Sequence, residues 1–173
     1  MEEVVVCEYN PEWVTEYNIE KVKIVQLLQD LIQGIEHIGS TAIPGLAAKP
    51  VIDMMVGINN LQDLTKLHCE QLKTIGYEFV DHPHFPERRF FRKGQWRAGT
   101  HHLHIYEHKA DNWNSNLLFR DYLINHPDLL REYNVLKKEL EIVYKNDRVA
   151  YTKAKAPFIE SVIRKAKGAA TTK

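Results

Sequence analysis

The acid at position 53 is the residue whose type fits its surroundings least well. Asp53 interrupts residues 50–58, which read PVIDMMVGI and predict a buried strand. A buried carboxylate is costly without a partner, so it needs a cation, hydrogen-bond donors or a metal ion. One interpretation is an acid that caps a loop or pairs with Lys49. We favour a role in a functional site, because the acid lies in the middle of the run.

A turn of small residues precedes this strand. Residues 37–41 read HIGST, and Asp53 follows Ser40 by thirteen positions. Gly39 would allow close backbone approach to a ligand, and successive N–H groups with the Ser40 hydroxyl can hold phosphate oxygens. A Gly-Ser pair is common in turns and is a weak signal alone. Followed by an acid on a buried strand, it indicates a phosphate site.

Two histidines form the next candidate group. His102 and His104 are two residues apart, so on a strand they share one face. If their strand lies beside that of Asp53, two imidazoles and one carboxylate would suit Mn, Fe or Zn better than Mg. The rings could instead donate hydrogen bonds to a phosphate, or bind nothing. The choice depends on whether the two strands are neighbours.

Arginines of one predicted strand could bind an anion. Arg88 and Arg92 alternate with Arg89, so they would present two guanidinium groups on one face to a phosphate or carboxylate. The alternative is an edge strand whose charges prevent aggregation.

Further basic residues are candidates for ligand contact. Arg148, Tyr151 and Lys155 have helical spacings of three and four, so they share a helix face that could close over a ligand or remain a surface stripe. Lys49 precedes the strand of Asp53 and would serve phosphate contact or loop solvation equally well.

The order of elements predicts an α+β fold. We expect a first helix from Asn10-Pro11 to Gly34 and a second helix capped by Asn60 and ended by Gly76. Two more helices are expected over 115–125 and 127–145, followed by a last helical pair broken near Pro157. The expected strands are 4–9, 35–38, 50–58, 77–80, 88–93 and 100–107. Strands mixed with helices, then helices alone, indicate a sheet core over about 1–110 with a helical cap over about 112–167. We predict one domain over 1–167 and a flexible tail over 168–173.

Composition excludes several function classes. The 173 residues carry 23 basic and 23 acidic side chains, so no nucleic-acid partner is expected. The longest uncharged run, 37–48, is too short to cross a bilayer, and the start of the sequence lacks signal-peptide character. We therefore expect a cytoplasmic protein without a membrane partner. An exposed hairpin edge would allow a homodimer, and the oligomeric state stays open.

One long segment resembles the signature of a known family. Residues 36–53, EHIGSTAIPGLAAKPVID, are similar to the signature of the GrpB family, whose fold is that of the nucleotidyltransferase superfamily. The resemblance continues over nearly the whole chain, through PERRFFRK at 86–93, THHLH at 100–104, FRDYL at 119–123, HP at 126–127, DRVAY at 147–151, and Lys155 with PFI at 157–159. It implies a mixed sheet flanked by helices.

The resemblance also implies a chemistry. In the superfamily a Gly-Ser pair holds a nucleoside triphosphate, and strand carboxylates hold two divalent ions that assist attack on the α-phosphate and departure of pyrophosphate. Gly39, Ser40 and Asp53 match these positions, but the second acid is replaced by Met55, whose thioether is a poor ligand for Mg²⁺. Either Glu107 substitutes, one metal suffices, or the site binds without transferring.

These observations lead us to expect a metal-dependent nucleotidyltransferase acting on a nucleoside triphosphate or another phosphorylated small molecule. Asp53 and Ser40 are the predicted catalytic residues, and the predicted phosphate contacts are Gly39, Ser40, Thr41, Lys49, Arg88, Arg92 and Lys155. The predicted metal ligands are Asp53, His102, His104 and Glu107, for Mg or Mn, or a transition metal if the histidines ligate. The alternatives are a nucleotide- or phosphate-binding protein without transfer activity, and a metal-dependent hydrolase using Asp53, His102 and His104.

Overall fold

A mixed sheet forms the centre of the structure, a computed structural model that describes residues 3–95 and 98–171. Within those residues, the strands are β1 (Ile32–Ile38), β2 (Ile52–Ile58), β3 (Tyr77–Val80), β4 (Arg89–Gln95) and β5 (Ala98–Glu107). The helices are α1 (Glu12–Leu28), α2 (Lys66–Thr74), α3 (Asp111–Ile124), α4 (Pro127–Val143) and α5 (Arg148–Thr171). The predicted α+β class is confirmed.

The strand order is β1-β2-β5-β4-β3, and only one pair of neighbours in it runs in the same direction. β2 and β5 are parallel, whereas β1–β2, β4–β5 and β3–β4 are antiparallel. The parallel register sets Asp53 opposite His102 and Met55 opposite His104. The two strands whose adjacency the sequence left open are therefore neighbours.

Alternation along β2 divides the sheet into two different faces. Ile52, Met54, Val56 and Ile58 point to one face, where they pack with the apolar residues of α1 and α2 in the main core. Asp53, Met55 and Gly57 point to the other face. Since β2 is central and almost wholly buried, only its Asp53 end leaves room for a polar group.

Two neighbouring glycines allow α3 to sit directly on this second face. Gly34 of β1 pairs with Gly57 of β2. A Cβ atom at Gly57 would lie 2.8 Å from the Trp113 ring, and one at Gly34 would lie 3.0 Å from it. The absence of side chains at both positions creates the space in which the buried Trp113 ring anchors α3 over the sheet.

The last three helices form the predicted cap, and the described helices include none long and apolar enough to cross a membrane. Their shared core joins the loop after β1 to α3, α4 and α5, and consists of Ile43, Leu46, Phe119, Leu123, Tyr133 and Val162. Arg120 of α3 also bonds Glu36 Oε2 at 2.7 Å and the His37 carbonyl at 2.9 Å. The cap is thus fixed to the strand that leads into the Gly39–Ser40 turn.

Three local predictions were wrong. Gly34 does not end a helix, because α1 stops at Leu28 and Gly34 lies within β1. Asn60 caps only a short 3₁₀ turn, accepting a bond from the Gln62 N–H, and α2 begins later at Lys66. Residues 4–9 form a single bridge, Cys7 with Ala48, because the Val4 and Val6 N–H groups bond to Lys145 and Glu141 of the cap instead.

The end of the chain differs from the prediction as well. α5 continues through Pro157 as one helix, in which the proline lies on the exposed side. Helix α5 continues past Gly168, where a flexible tail was expected, to Thr171. Thr172 and Lys173 of that tail, and Trp96 and Arg97 of the predicted turn 94–99, lie outside the described residues.

We predict that Gly57→Ala lowers the free energy of unfolding by about 1–3 kcal/mol, because the new methyl group overlaps the Trp113 and His108 rings. Urea denaturation measures the change. Gly168→Ala is the matched control: nothing lies within 4 Å of its Cβ position, and helix propensity should leave stability unchanged or slightly raised. Equal stability of Gly57→Ala and wild type would contradict the packing described for Trp113.

Candidate active site

Asp53, His102 and His104 come together on the open face of the β2–β5 pair. Asp53 Oδ1 lies 3.0 Å from Nδ1 of His102 and 3.5 Å from Nε2 of His104. One donor atom from each of the three residues lies within 4.8 Å of the others. The three side chains are only partly buried, so the group lies at the surface of the sheet and not in the core.

The electrostatics of this cluster favour an ionised carboxylate. Burial alone would raise the pKa of Asp53, but hydrogen bonds from His102 and His104 outweigh burial and hold that pKa well below its usual range. Burial lowers the pKa of His104, and the charge of Arg88 lowers it further against the opposing effect of Asp53. At neutral pH the cluster therefore offers a carboxylate oxygen and a neutral His104 imidazole, whose Nε2 binds a metal in the tautomer that carries its proton on Nδ1.

Met55, at the position of the second acid in the superfamily, packs in a hydrophobic cluster. Met55 is fully buried and contacts Ile38, Tyr106 and Trp113 beneath α3. Glu107 does not replace the missing acid. It lies five residues beyond His102 on β5, about 16 Å along the strand, and alternation places it on the opposite face. We leave Glu107 out of the proposed metal site for this reason.

These donors fit one divalent ion and do not fit a pair of Mg²⁺ ions. Separations of 3.0 and 3.5 Å between the Asp53 oxygen and the imidazole nitrogens suit donors that share one ion at about 2.0–2.2 Å. One carboxylate with two imidazoles is a donor set for Mn, Fe or Zn. A second Mg²⁺ would need the oxygen ligand that Met55 lacks.

The turn after β1 brings Gly39 and Ser40 beside Asp53. Gly39 has φ of 71°, and a Cβ atom there would lie 2.8 Å from Asp53 Oδ2, so the position requires glycine. Thr41 is buried, and its hydroxyl lies 2.9 Å from Nε2 of His37 and 3.4 Å from the Val51 carbonyl. Thr41 therefore holds the turn in place, and it also lines the cavity beside this turn.

His37 supports the turn as a neutral ring. It stacks on Tyr17 at 4.8 Å between ring centres, and burial lowers its pKa to about 4. A neutral imidazole can exchange one hydrogen bond with Thr41 without placing a positive charge in the core.

Lys137 of α4 lies in the candidate site and was missed by the sequence reasoning. It is 1% exposed, and its Nζ bonds the Ala47 carbonyl and lies 3.2 Å from Ser40 Oγ. No carboxylate in the described part of the chain lies within 4 Å of it. Burial, followed by the charge of Lys155, lowers its pKa to about 7. A charged residue among the apolar positions Tyr133, Leu136 and Leu140 was the available signal.

Lys137 belongs to a cationic cleft beside the Asp53 cluster, which we call the lysine cleft. A cavity of about 150 Å³ is lined by the predicted residues Ser40, Thr41, Lys49, Asp53, His102 and Lys155, and also by Lys137, Arg148 and Tyr151. Burial lowers the pKa of Lys155 to about 8, although Asp53 acts in the opposite direction. The named lining thus has four basic side chains and one acid. The helix face that carries Arg148, Tyr151 and Lys155 lines this cavity.

The predicted arginines lie elsewhere on the same sheet face. Arg92 is opposite His102 on β4, and the Phe90 ring lies 5.2 Å from His102 and 5.1 Å from His104. Arg88 stacks over Phe90 at 5.1 Å. These residues border the Asp53 cluster from the β4 side, and neither arginine lines the lysine cleft.

We predict that the affinity for inorganic tripolyphosphate falls as pH rises from about 7 to 9. A bound polyanion favours protonated Lys137 and Lys155, whose pKa values of about 7 and about 8 in the free protein mean that binding takes up protons across this range. Each lysine that must be protonated on binding weakens affinity by up to about tenfold per pH unit above its pKa. Isothermal calorimetry in two buffers of different ionisation enthalpy measures the uptake. Affinity independent of pH would contradict the described role of the two lysines.

Comparisons with known proteins agree with this architecture. The family model for GrpB protein matches residues 3–165. The glutamate-rich protein GrpB of Alkalihalophilus pseudofirmus is 34% identical over 164 residues, covering 93% of this chain and 94% of that protein. The UPF0157 protein YqkA of Bacillus subtilis is 36% identical over 92% of this chain, which spans only 46% of YqkA.

Solved structures show the same fold. The crystal structure of GrpB from Enterococcus faecalis has a TM-score of 0.86 and 34% identity, covering 94% of this chain and 96% of that one. A Cid1 poly(U) polymerase structure, described as MgGTP bound, has a TM-score of 0.53 and 14% identity over 76% of this chain and 43% of that one. The fold is therefore that of the nucleotidyltransferases, and the chain belongs to the GrpB family.

Proposed function

We propose that this protein is a metal-dependent nucleotidyltransferase, which binds the triphosphate of a nucleoside triphosphate in the lysine cleft and moves the nucleotidyl group to an acceptor. The observation that carries the proposal is the unbalanced charge of the cleft beside the Asp53 cluster. Lys137 in particular is buried without a carboxylate partner, an arrangement that an anionic ligand would stabilise.

Asp53, His102 and His104 would hold one divalent ion. Such an ion, when bound, supplies a Lewis acid that stabilises charge on phosphoryl oxygens. The support for a metal here is the chemistry of the donor set and the ionised state of Asp53. The fold adds to it, because the Cid1 structure that shares this fold is described as bound to MgGTP.

The protein's own residues would position the triphosphate. Lys137, Lys155 and Lys49 supply positive charge to phosphate oxygens, and the Gly39–Ser40 turn brings backbone N–H groups and a hydroxyl beside them. Because Gly39 lies against the Asp53 carboxylate, a triphosphate on this turn is adjacent to the cluster. The α-phosphate then faces Asp53, while the β- and γ-phosphates face the lysines.

The transfer step is an in-line displacement. An acceptor oxygen forms a bond to the α-phosphorus, and the bond from that phosphorus to the oxygen bridging to the β-phosphate breaks. The electron pair leaves with pyrophosphate, which the lysines stabilise, and the acceptor proton passes to solvent.

Met55 favours a second candidate, a protein that binds the nucleotide without transferring it. The position of the second acid is occupied by a fully buried thioether, so the two-ion arrangement of the superfamily is lost. This candidate shares the lysine cleft and differs only in the absence of turnover.

We predict that nucleoside triphosphates with Mn²⁺ raise the melting temperature of the protein, and that pyrophosphate is released when an acceptor is supplied. Asp53→Asn should reduce this release by about 100-fold or more, because it removes the one anionic donor of the cluster. A coupled pyrophosphate assay measures the rate, and Asp63→Asn, an exposed acid away from the cleft, is the control.

The outcomes separate the candidates. Stabilisation that survives chelation without any pyrophosphate release would support the binding protein. Release of a nucleoside monophosphate with water alone would support the hydrolase. No stabilisation by any nucleoside triphosphate, with either Mg²⁺ or Mn²⁺, would overturn the proposal.

A further inference from the structure

A second cationic group borders the Asp53 cluster on the side away from the lysine cleft. The lysine cleft is built by the turn after β1 together with α4 and α5. Arg92 comes instead from the middle of β4, and Arg88 is the residue just before that strand. β4 lies two strands from β2, or about 10 Å across the sheet. His102 and His104 of β5 lie between the two groups.

Arg88 is held in a fixed orientation by aromatic rings. Its guanidinium carbon lies 5.0 Å from the Phe85 ring centre and 5.1 Å from that of Phe90, and its Nη2 lies 2.6 Å from Nδ1 of His82. The ring of His82 stacks in turn on Phe90 at 5.1 Å. In the described part of the chain, no carboxylate lies within 4 Å of Arg88. A rigid guanidinium without a carboxylate partner is suited to an oxyanion.

Arg92 adds a second guanidinium on the same face. It is opposite His102, and its Nη2 lies 3.7 Å from Oε2 of Glu78, a side chain that is 61% exposed. Because the pair is long and Glu78 is exposed, this contact contributes little, and an incoming anion can compete with it. Arg89, the residue between them, faces the other way and donates to the Pro86 carbonyl.

We propose that Arg88 and Arg92 form the subsite for an acceptor that carries a phosphate or carboxylate group next to its attacking hydroxyl. This inference rests on the proposed function. In an in-line displacement, the attacking and leaving oxygens lie on opposite sides of the phosphorus. With pyrophosphate leaving into the lysine cleft, the acceptor approaches from the β4 side, where the two arginines bind its anionic group.

The test is a calorimetric titration of protein saturated with Mn²⁺ and an α,β-methylene nucleoside triphosphate, which fills the lysine cleft and does not react. Inorganic phosphate is titrated in one arm and succinate in the other, so that a phosphate acceptor is distinguished from a carboxylate acceptor. We expect one anion to bind at one site. Arg92→Gln and Arg88→Gln should each weaken that binding by about tenfold or more, the loss of a charge-assisted contact.

Arg89→Gln is the matched control, since it removes the same charge from the neighbouring position on the opposite face, and its anion affinity should match wild type. Arg92 is half-exposed, so its variant keeps the test valid if Arg88→Gln disturbs the aromatic cluster. Unchanged affinity for the triphosphate analogue shows that each variant is folded. No anion binding to wild type, or binding that survives in both arginine variants, would overturn the subsite.

Failure of the proposed function gives a different result. If the triphosphate analogue does not bind wild type, the transferase proposal fails, and phosphate is then titrated into Lys155→Met protein, in which the lysine cleft is weakened. Phosphate binding that is lost in the double variant Lys155→Met/Arg92→Gln supports the anion subsite on its own. Binding that persists there overturns it.

Discussion

The parallel pairing of β2 with β5 is the constraint on which the candidate site depends. It places Asp53 opposite His102 and orients three side chains from two strands towards the same face. The other strand pairs are antiparallel, and each follows a short connection or a hairpin. Strand β5 instead enters the middle of the sheet after a long excursion through α2, β3 and β4. Asp53, His102 and His104 therefore exist as a group only in the folded protein.

Because the site depends on this long-range pairing of β2 with β5, the sequence could predict only part of it. Asp53 was identifiable because it is an acid in an apolar run. The Gly39–Ser40 turn was identifiable because its small residues lie just before the strand that carries this acid. The adjacency of Asp53 and His102 is a long-range pairing that no local pattern encodes. Lys137 was missed because a lysine in an amphipathic helix is ordinarily assigned to the solvent face. Glu107 was expected at the site on residue type alone, and strand alternation sends it to the other face.

The fold was predicted well where hydrophobic periodicity and turn residues agreed. The β4–β5 hairpin and the helix end at Gly76 are examples, and Gly76 has φ of 91°. Predictions failed where tertiary packing overruled local propensity. Glycine often ends helices, yet Gly34 lies in a strand, where it makes room for Trp113. Pro157 lies within α5, whose apolar side packs against the other helices of the cap. Local preferences of about 1–3 kcal/mol are readily outweighed by such packing.

The segment from Val4 to Cys7 forms the outer wall of the lysine cleft and is attached largely through its backbone. The Val4 N–H bonds the Lys145 carbonyl, Cys7 exchanges both of its backbone bonds with Ala48, and Val6 bonds the Glu141 side chain. Backbone bonds do not depend on side-chain identity. The wall can therefore vary in composition from one homologue to another, altering the width and polarity of the entrance, while the geometry of the Asp53 cluster, which the sheet fixes, stays the same. Under the proposed function, ligand preference can thus diversify at the entrance of the cleft without any change in the Asp53 cluster.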